Sequence, residues 1–257
     1  MLDSLERLFR IISTGLAFSV FGLGGLLLAV TVFPLLALIS RNSTRTHERV
    51  RAIIHRVFRV FLWFVQAIRL YDVNVDGAES LTTCRGALVV ANHPTLLDVV
   101  ILMALNPNFQ CVVKHQLWRN VFLRRVVTAA GYIRNDLSAE EFIEQCAKSF
   151  NAGDNLLLFP EGTRTQPGEF PKFFRGFANI ALLSKTDILI VVIQCEPVTL
   201  TRDKPWYAVS KTRACFRVKV GELWDKNSFD WTPHRALNAR RLVKSLETYY
   251  RDALSNG

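Results

Sequence analysis

Residues 92–98 read NHPTLLD, which places His93 five positions before Asp98. The stretch follows GALVVA, a short apolar run typical of a strand buried on both faces. A carboxylate in the next helical turn can orient the imidazole and stabilise the imidazolium that forms when the histidine takes a proton. Thr95 and Asp98 also match a T-x-x-D capping pattern, so Asp98 could serve the first helical turn, the histidine, or both. The pattern suggests a general base, His93, supported by Asp98.

A second polar stretch, LLLFPEGTRT, occupies residues 156–165 and again follows an apolar strand pattern. Gly162 gives the backbone freedom, Thr163 offers a hydroxyl and an amide, and Arg164 offers a planar fork for phosphate or carboxylate. Glu161 could position Arg164, position a backbone amide, or form a structural ion pair. In α/β sheets, ligands bind where strands end, so this loop predicts an anion site that faces the histidine.

Together, N-H-x4-D and, about 60 residues later, F-P-E-G-T-R resemble the glycerolipid acyltransferase family typified by 1-acylglycerol-3-phosphate acyltransferase. The resemblance covers roughly residues 72 to 200, and the blocks VVKHQLW and FFRGFANIA extend it. It implies that His93 and Asp98 form a catalytic dyad. It also implies a substrate-binding role for a second set of residues, namely Glu161, Gly162, Thr163, Arg164, Lys114 and Arg175. The expected co-substrate is acyl-CoA or acyl-carrier protein, with no metal and no further cofactor.

Two departures from the family pattern leave the acceptor open. The family block that ends in an arginine after G-x-I-F-I is GYIRND here, which moves Arg134 toward the glycine. The proline of the usual V-P-I strand is missing from DILIVVIQCEP. Both blocks are associated with the acceptor site in the family. The first hypothesis is acylation of a lysophospholipid, 1-acyl-sn-glycerol-3-phosphate, to phosphatidic acid, and the second is acylation of an amino-acid or pigment lipid.

Strand and helix patterns alternate from about residue 72 to 195, which predicts an α/β fold with a largely parallel or mixed central sheet flanked by helices. WYAVS (206–210) and ACFRVKVGEL (214–223) are expected to add edge strands, and residues 234–254 a closing amphipathic helix. Ser138 and Glu141 form a capping box that predicts a helix start. We expect N-terminal membrane-anchoring helices over residues 1–70 and an α/β acyltransferase domain over residues 71–257.

The N-terminal segment predicts a membrane anchor. No charged residue occurs between Arg10 and Arg41, and a helix over these 30 residues would extend about 45 Å, more than a hydrocarbon core requires. Glycines and Pro34 predict a break or a bent hairpin, and the alternative is a buried core helix. Arginines that follow the anchor, including Arg51, place the catalytic domain on the cytosolic side of the inner membrane. Residues 47–70 resemble a basic amphipathic helix for an anionic membrane surface.

Overall composition narrows the remaining classes of function. The net charge of +10 suits nucleic acid, anionic lipid or phosphorylated substrates alike. Five scattered cysteines without a CxxC pair indicate reduced packing residues. The sequence has no G-x-S-x-G elbow, and five scattered histidines argue against a metal hydrolase. A non-enzymatic basic membrane-surface protein is the remaining rival. The expected partners are the bilayer, a lysophospholipid acceptor and an acyl thioester donor, with no nucleic acid.

Overall fold

A computed structural model describes residues 2–39, 43–229 and 234–255. The helices are α1 (Leu2–Leu27), α2 (Phe33–Ile39), α3 (Ser43–Ala67), α4 (Ala78–Thr83), α5 (Asp98–Met103), α6 (Gln116–Arg119), α7 (Val121–Ala129), α8 (Ala139–Asn151), α9 (Gly176–Ser184) and α10 (Arg235–Ser255). The strands are β1 (Tyr71–Asp76), β2 (Leu88–Ala91), β3 (Phe109–Val113), β4 (Ile133–Arg134), β5 (Asn155–Leu158), β6 (Ile188–Glu196) and β7 (Ala214–Trp224). A π-helical segment (Leu28–Val32) joins α1 to α2, and a 3₁₀ turn (Lys226–Ser228) follows β7.

The strands form one sheet in the order β1-β7-β6-β2-β5-β3-β4. All neighbouring strands are parallel except β6 and β7, which are antiparallel, so the predicted mixed sheet is confirmed. The five strands β2 to β6 therefore run in one direction and end at one edge. Ligands of open α/β sheets bind outside this carboxyl edge.

Helices cover both faces of the sheet and create two apolar cores. In β2, Val89 and Ala91 point toward α1–α5 and α7, whereas Leu88 and Val90 point toward α8–α10. All four side chains are fully buried. This burial on both faces explains why β2 is continuously apolar, as the sequence indicated. The capping box predicted at Ser138 and Glu141 is present and begins α8.

The N-terminal region is a helical hairpin. α1, the π-helical segment and α2 follow one another without a break over residues 2–39. The π-helical segment contains one extra residue per turn, and its Phe33 N–H donates to Leu28 O. The glycines of α1 do not interrupt it, and the irregularity lies next to Pro34 instead. α3 returns alongside, with Phe21 packed against Phe58 and Phe61 at ring-centroid distances of 5.7 and 5.0 Å. Ser4–Leu36 is long and apolar enough to cross a membrane.

Two predicted edge strands differ from the structure. WYAVS is a turn, because Pro205 lacks a backbone donor and the Trp206 ring packs against Phe18 and over Gly15 of α1. ACFRVKVGEL does form a strand, β7, but this strand lies inside the sheet between β1 and β6. The two-residue strand β4 was not predicted. Its pairing with β3 comes from the fold, since two residues carry no periodic pattern.

The position of Arg51 also differs from the prediction, which counted it among the arginines next to the membrane anchor. Its side chain is 6% exposed and forms two bonds of 2.8 and 2.9 Å to the carboxylate of Asp154, the residue before β5. Burial raises the pKa of Asp154, and the Arg51 guanidinium partly opposes that shift. Arg51 therefore ties α3 to the α/β domain, and it is not part of a membrane-facing basic surface.

Candidate active site

The two polar loops meet because β2 and β5 are parallel neighbours. Val90 pairs with Leu158, so the residues after each strand emerge side by side at the carboxyl edge. The loop after β2 carries His93, and the loop after β5 carries Glu161. The fold thus brings the NHPTLLD and FPEGTR stretches together, as the sequence predicted from their strand-end positions.

Asp98 binds both His93 and Thr95. Its Oδ2 lies 2.8 Å from His93 Nδ1 and accepts the backbone N–H of Thr95 at 2.7 Å, while its Oδ1 accepts the Thr95 hydroxyl at 2.6 Å. The Asp98 side chain has no exposed surface. Burial raises the pKa of Asp98, and the contacts with His93 and Thr95 partly offset that rise. Asp98 therefore contacts the histidine and also closes the turn at Thr95 that leads into α5.

The imidazole of His93 is held in one orientation. An ionised carboxylate can only accept, so the ring donates Nδ1–H to Asp98, and Nε2 carries the lone pair. The ring of Phe159 lies against the imidazole at 4.3 Å between centroids and 29° between planes. Within the described part of the chain, no residue is hydrogen-bonded to Nε2. With 17% of its side chain exposed, His93 can accept a proton from a group outside the protein.

Glu161 ties the two loops together. Its Oε1 accepts the backbone N–H of His93 at 2.8 Å, and its Oε2 accepts the hydroxyl of Thr165. Thr165 N–H in turn donates to His93 O at 3.0 Å. Burial raises the pKa of Glu161, and the hydrogen bonds from Thr165 and His93 partly counteract this. Of the alternatives for Glu161, the structure therefore selects the positioning of a backbone amide, that of His93.

A third loop, which follows β6, completes the site. Leu200 O accepts Leu96 N–H at 3.1 Å and Arg164 Nη1 at 3.0 Å. Leu200 has a φ of +52°, a left-handed conformation that is uncommon for a branched side chain. This turn points one carbonyl at both motif loops and fixes one nitrogen of the Arg164 guanidinium. The other guanidinium nitrogens make no hydrogen bond with any residue that the structure describes, so they can bind an anion.

The three backbone amides that immediately precede α5 all donate to groups of the protein. Thr95 N–H donates to Asp98, Leu96 N–H to Leu200, and Leu97 N–H to the Thr95 hydroxyl at 3.2 Å. These three amides are therefore not available to stabilise the oxyanion of a tetrahedral intermediate, since each already donates its hydrogen within the protein.

The other predicted binding residues lie at the same edge. Gly162 has a φ of +65°, which only glycine adopts readily, and Thr163 next to it is exposed. Lys114 directly follows β3, two strands and about 10 Å from β2. Arg175 is exposed and precedes α9, in a segment joined to the motif loop by Phe174 N–H donating to Pro160 O at 2.9 Å. These residues lie in the loops at the carboxyl edge of the sheet, and none of their side chains is hydrogen-bonded to His93 among the described residues.

Arg134, the displaced arginine, already has partners. Its guanidinium forms bonds of 2.9 and 2.7 Å with Asp136, and it lies 5.7 Å from the ring centre of Trp118. The charge of Arg134 is thus neutralised by the protein. Arg134, which GYIRND moves toward the glycine relative to the family block, is thus paired with Asp136.

Asn92 supports the histidine from behind. Its amide nitrogen donates to Ile193 O at 2.8 Å, and its amide oxygen accepts Ile193 N–H at 2.7 Å. The side chain thereby continues the pairing between β2 and β6 by one step beyond Ala91, where β2 ends. Asn92 is 5% exposed, so the groups it satisfies have no access to water.

Replacing Asn92 by alanine is expected to lower the free energy of unfolding by roughly 2–4 kcal/mol, because two buried backbone groups lose their partners. Chemical denaturation in detergent would measure the change. Asn227→Ala is the matched control, since that side chain is exposed and its amide bonds Asp225 alone among the residues that the structure describes. Equal losses for the two variants would contradict this role.

Comparison with known proteins relates the chain to named acyltransferases. Residues 72–195 match the family model described as Acyltransferase. Residues 72–195 therefore form an acyltransferase-family segment of the chain. The chain is 34% identical over 119 residues to a 1-acyl-sn-glycerol-3-phosphate acyltransferase of Helicobacter pylori, covering 44% of this chain and 49% of that protein. It is 26% identical over 135 residues to a chloroplastic 1-acyl-sn-glycerol-3-phosphate acyltransferase of Arabidopsis thaliana, covering 51% of this chain and 36% of that protein.

The solved structure of a 1-acyl-sn-glycerophosphate acyltransferase from Thermotoga maritima supports the fold. It superposes with a TM-score of 0.71 at 17% identity, covering 100% of this chain and 98% of the other. The predicted family and the α/β acyltransferase fold are confirmed. The matched region spans about a third to a half of the length of the first curated relatives.

Several site residues had no predicted role. Thr165 and Phe159 lie inside the motif stretch, and each completes a contact that a sequence pattern does not specify. The carbonyl of Leu200 has no sequence signal, because any residue carries the same carbonyl. Of these residues, Asn92 alone has a sequence signal, because it is a polar residue at the end of an apolar strand.

Proposed function

We propose that this acyltransferase-family protein moves a fatty acyl group from an acyl thioester to the hydroxyl of a lysophospholipid, most simply 1-acyl-sn-glycerol-3-phosphate, giving phosphatidic acid. The observation that carries the proposal is the buried Asp98 carboxylate at 2.8 Å from His93 Nδ1, which leaves Nε2 as the proton acceptor beside an arginine-bearing loop. The named relatives are 1-acyl-sn-glycerol-3-phosphate acyltransferases, which supports the acceptor.

The chemistry requires no covalent enzyme intermediate. His93 Nε2 removes the hydroxyl proton of the acceptor while that oxygen attacks the thioester carbonyl. Asp98 stabilises the resulting imidazolium, and the proton leaves with the thiol of the donor. Glu161 acts as a positioning residue through the backbone of His93. General base catalysis of this kind contributes about 10²–10⁴-fold, and the alignment of two bound substrates supplies much of the remainder.

The acceptor phosphate is proposed to bind Arg164, Thr163 and the backbone at Gly162. Arg164 is pinned at one nitrogen by Leu200 O, so its remaining donors are already oriented. Lys114 and Arg175 supply further positive charge at the same edge. A doubly charged phosphate monoester beside these groups would hold the acceptor hydroxyl near the histidine.

We propose further that the N-terminal helices over residues 1–70 attach the protein to the inner membrane, with the α/β domain of residues 71–257 on the cytosolic side. The large exposed side chains of α1, such as Phe9, Ile12 and Leu23, support this attachment, because a water-soluble surface rarely displays them in one helix. Leu96, three residues after His93, is 44% exposed. An apolar site entrance suits a substrate that arrives from the bilayer.

The proposal is tested by incubating the purified protein in detergent with 1-acyl-sn-glycerol-3-phosphate and isotope-labelled acyl-CoA or acyl-carrier protein. Labelled phosphatidic acid from at least one donor is the expected result, and comparison of the two rates identifies the preferred thioester. Absence of phosphatidic acid, together with acylation of an amino-acid or pigment lipid in the same assay, would replace the proposed acceptor.

Replacing Arg164 by glutamine is expected to raise the KM for 1-acyl-sn-glycerol-3-phosphate by about 10- to 100-fold, since a charge-assisted hydrogen bond to a phosphate contributes roughly 1.5–3 kcal/mol. The KM for the acyl donor should change little. Arg217→Gln, which removes an exposed arginine from β7, is the control. An unchanged acceptor KM in the Arg164 variant would argue against phosphate binding at this loop.

A further inference from the structure

A cavity of about 680 Å³ lies between the N-terminal helix and the α6–α7 helices, outside the candidate active site. One wall comes from the π-helical segment and α2, and the other from α6 and α7. The residues that matter here are Val30, Phe33, Trp118, Arg119, Arg124 and Arg125. The cavity therefore combines apolar side chains with three guanidinium groups.

The arginines of this cavity lack compensating acids. The chain contains no aspartate or glutamate between Asp98 and Asp136, nor between Glu6 and Glu48, and these two stretches supply both walls. Arg119, Arg124 and Arg125 are exposed, and none forms a salt bridge with a carboxylate of the residues that the structure describes. A concentrated positive charge of this kind favours an anionic ligand.

The apolar wall indicates which anion fits. Val30 is 48% exposed on the segment that we propose to lie in the membrane, and Phe33, one turn later, also lines the cavity although it is only 2% exposed. The extra residue of the π-helix, marked by Phe33 N–H bonding Leu28 O, lies at the wall, and such irregularities are frequent at functional sites. An occupant needs a phosphate for the arginines and a hydrocarbon chain for the helix.

We infer that this cavity binds the headgroup and upper acyl chain of an anionic membrane phospholipid, as a site distinct from the one that contains His93. The inference rests on the proposed membrane attachment, and it does not rest on acyl transfer. The bound lipid would link the N-terminal helix to α7 and hold the domain at the membrane surface.

Native mass spectrometry of the full chain, released from detergent with equal amounts of phosphatidylglycerol and phosphatidylcholine of identical acyl chains, tests the inference. We expect one phosphatidylglycerol to be retained in preference to phosphatidylcholine. Arg124→Gln with Arg125→Gln should reduce phosphatidylglycerol affinity by about fivefold for each charge, roughly 25-fold together. Thr128→Trp, which fills the cavity without changing charge, should also weaken retention. Arg240→Gln with Lys244→Gln, on α10 across the sheet, should have no effect.

Three outcomes would overturn the inference: equal retention of both lipids, preference preserved in the Arg124/Arg125 variant, or release of phosphatidylglycerol by stoichiometric coenzyme A. The last would assign the cavity to the phosphates of the acyl donor. Because the readout is the mass of bound lipid, a protein that binds phosphatidylglycerol here and yet acylates no lysophospholipid would refute only the proposed function.

Discussion

Replacing His93 by alanine is expected to reduce the turnover of 1-acyl-sn-glycerol-3-phosphate by about 10²–10⁴-fold, the contribution typical of a general base. The reason lies in the geometry, since Nε2 of this imidazole is the proposed proton acceptor and the ring contacts Asp98 and Phe159. Initial rates of phosphatidic acid formation at saturating substrates would measure the effect. Circular dichroism should show an unchanged fold.

His234→Ala is the matched control, because His234 is exposed at the start of α10, on the other face of the sheet. This variant should keep the rate of the unmodified protein. A folded His93 variant with normal turnover would exclude the histidine as the base. Another group would then have to be the proton acceptor.

Replacing Asp98 by asparagine is expected to lower kcat by about 10²-fold, with little change in either KM. The amide can keep the contacts to His93 Nδ1 and Thr95 N–H through its oxygen, and the Thr95 hydroxyl can turn to accept from its nitrogen. What disappears is the negative charge that stabilises the imidazolium. Asp98 acts through the histidine, so the double variant with His93→Ala should be no slower than His93→Ala alone.

Although the Asp98→Asn variant should lose activity, its stability should not fall. Burial raises the pKa of Asp98 above its ordinary value of 3.8, so the folded protein holds that proton more tightly than the unfolded chain. The associated stability is present at low pH and is lost as the pH rises through the folded pKa. At neutral pH, the free energy of unfolding of the Asp98→Asn variant should therefore equal or exceed that of the unmodified protein. A large loss of stability would mean that Asp98 is chiefly structural.

The sequence contained enough information for the centre of the site. His93 and Asp98 are only five positions apart, and apolar runs identify β2 and β5 as buried strands that end near the two motifs. Such local features depend on neighbouring residues, so they can be deduced from short stretches. The same holds for the capping box of α8 and for the long amphipathic pattern of α10.

Features that depend on distant contacts could not be deduced in this way. WYAVS has the composition of a strand, but Trp206 packs against Phe18 and Gly15 of α1. This contact joins residues that are far apart in the sequence, so a local pattern does not reveal it. Arg51 has the composition of a membrane-facing helix, but Asp154 lies 103 positions away and pairs with it. The Leu200 carbonyl that orients Arg164 also comes from another part of the chain.

The most direct test of the proposed reaction is a competition between two acceptors in one vessel. Equal amounts of 1-acyl-sn-glycerol-3-phosphate and the corresponding monoacylglycerol are offered with one labelled acyl thioester, and both products are measured by mass spectrometry. The account predicts that phosphatidic acid exceeds diacylglycerol by about 100-fold, because only the first acceptor carries the phosphate that Arg164 and its neighbours bind. Equal products, or diacylglycerol alone, would contradict a phosphate-directed acyltransferase.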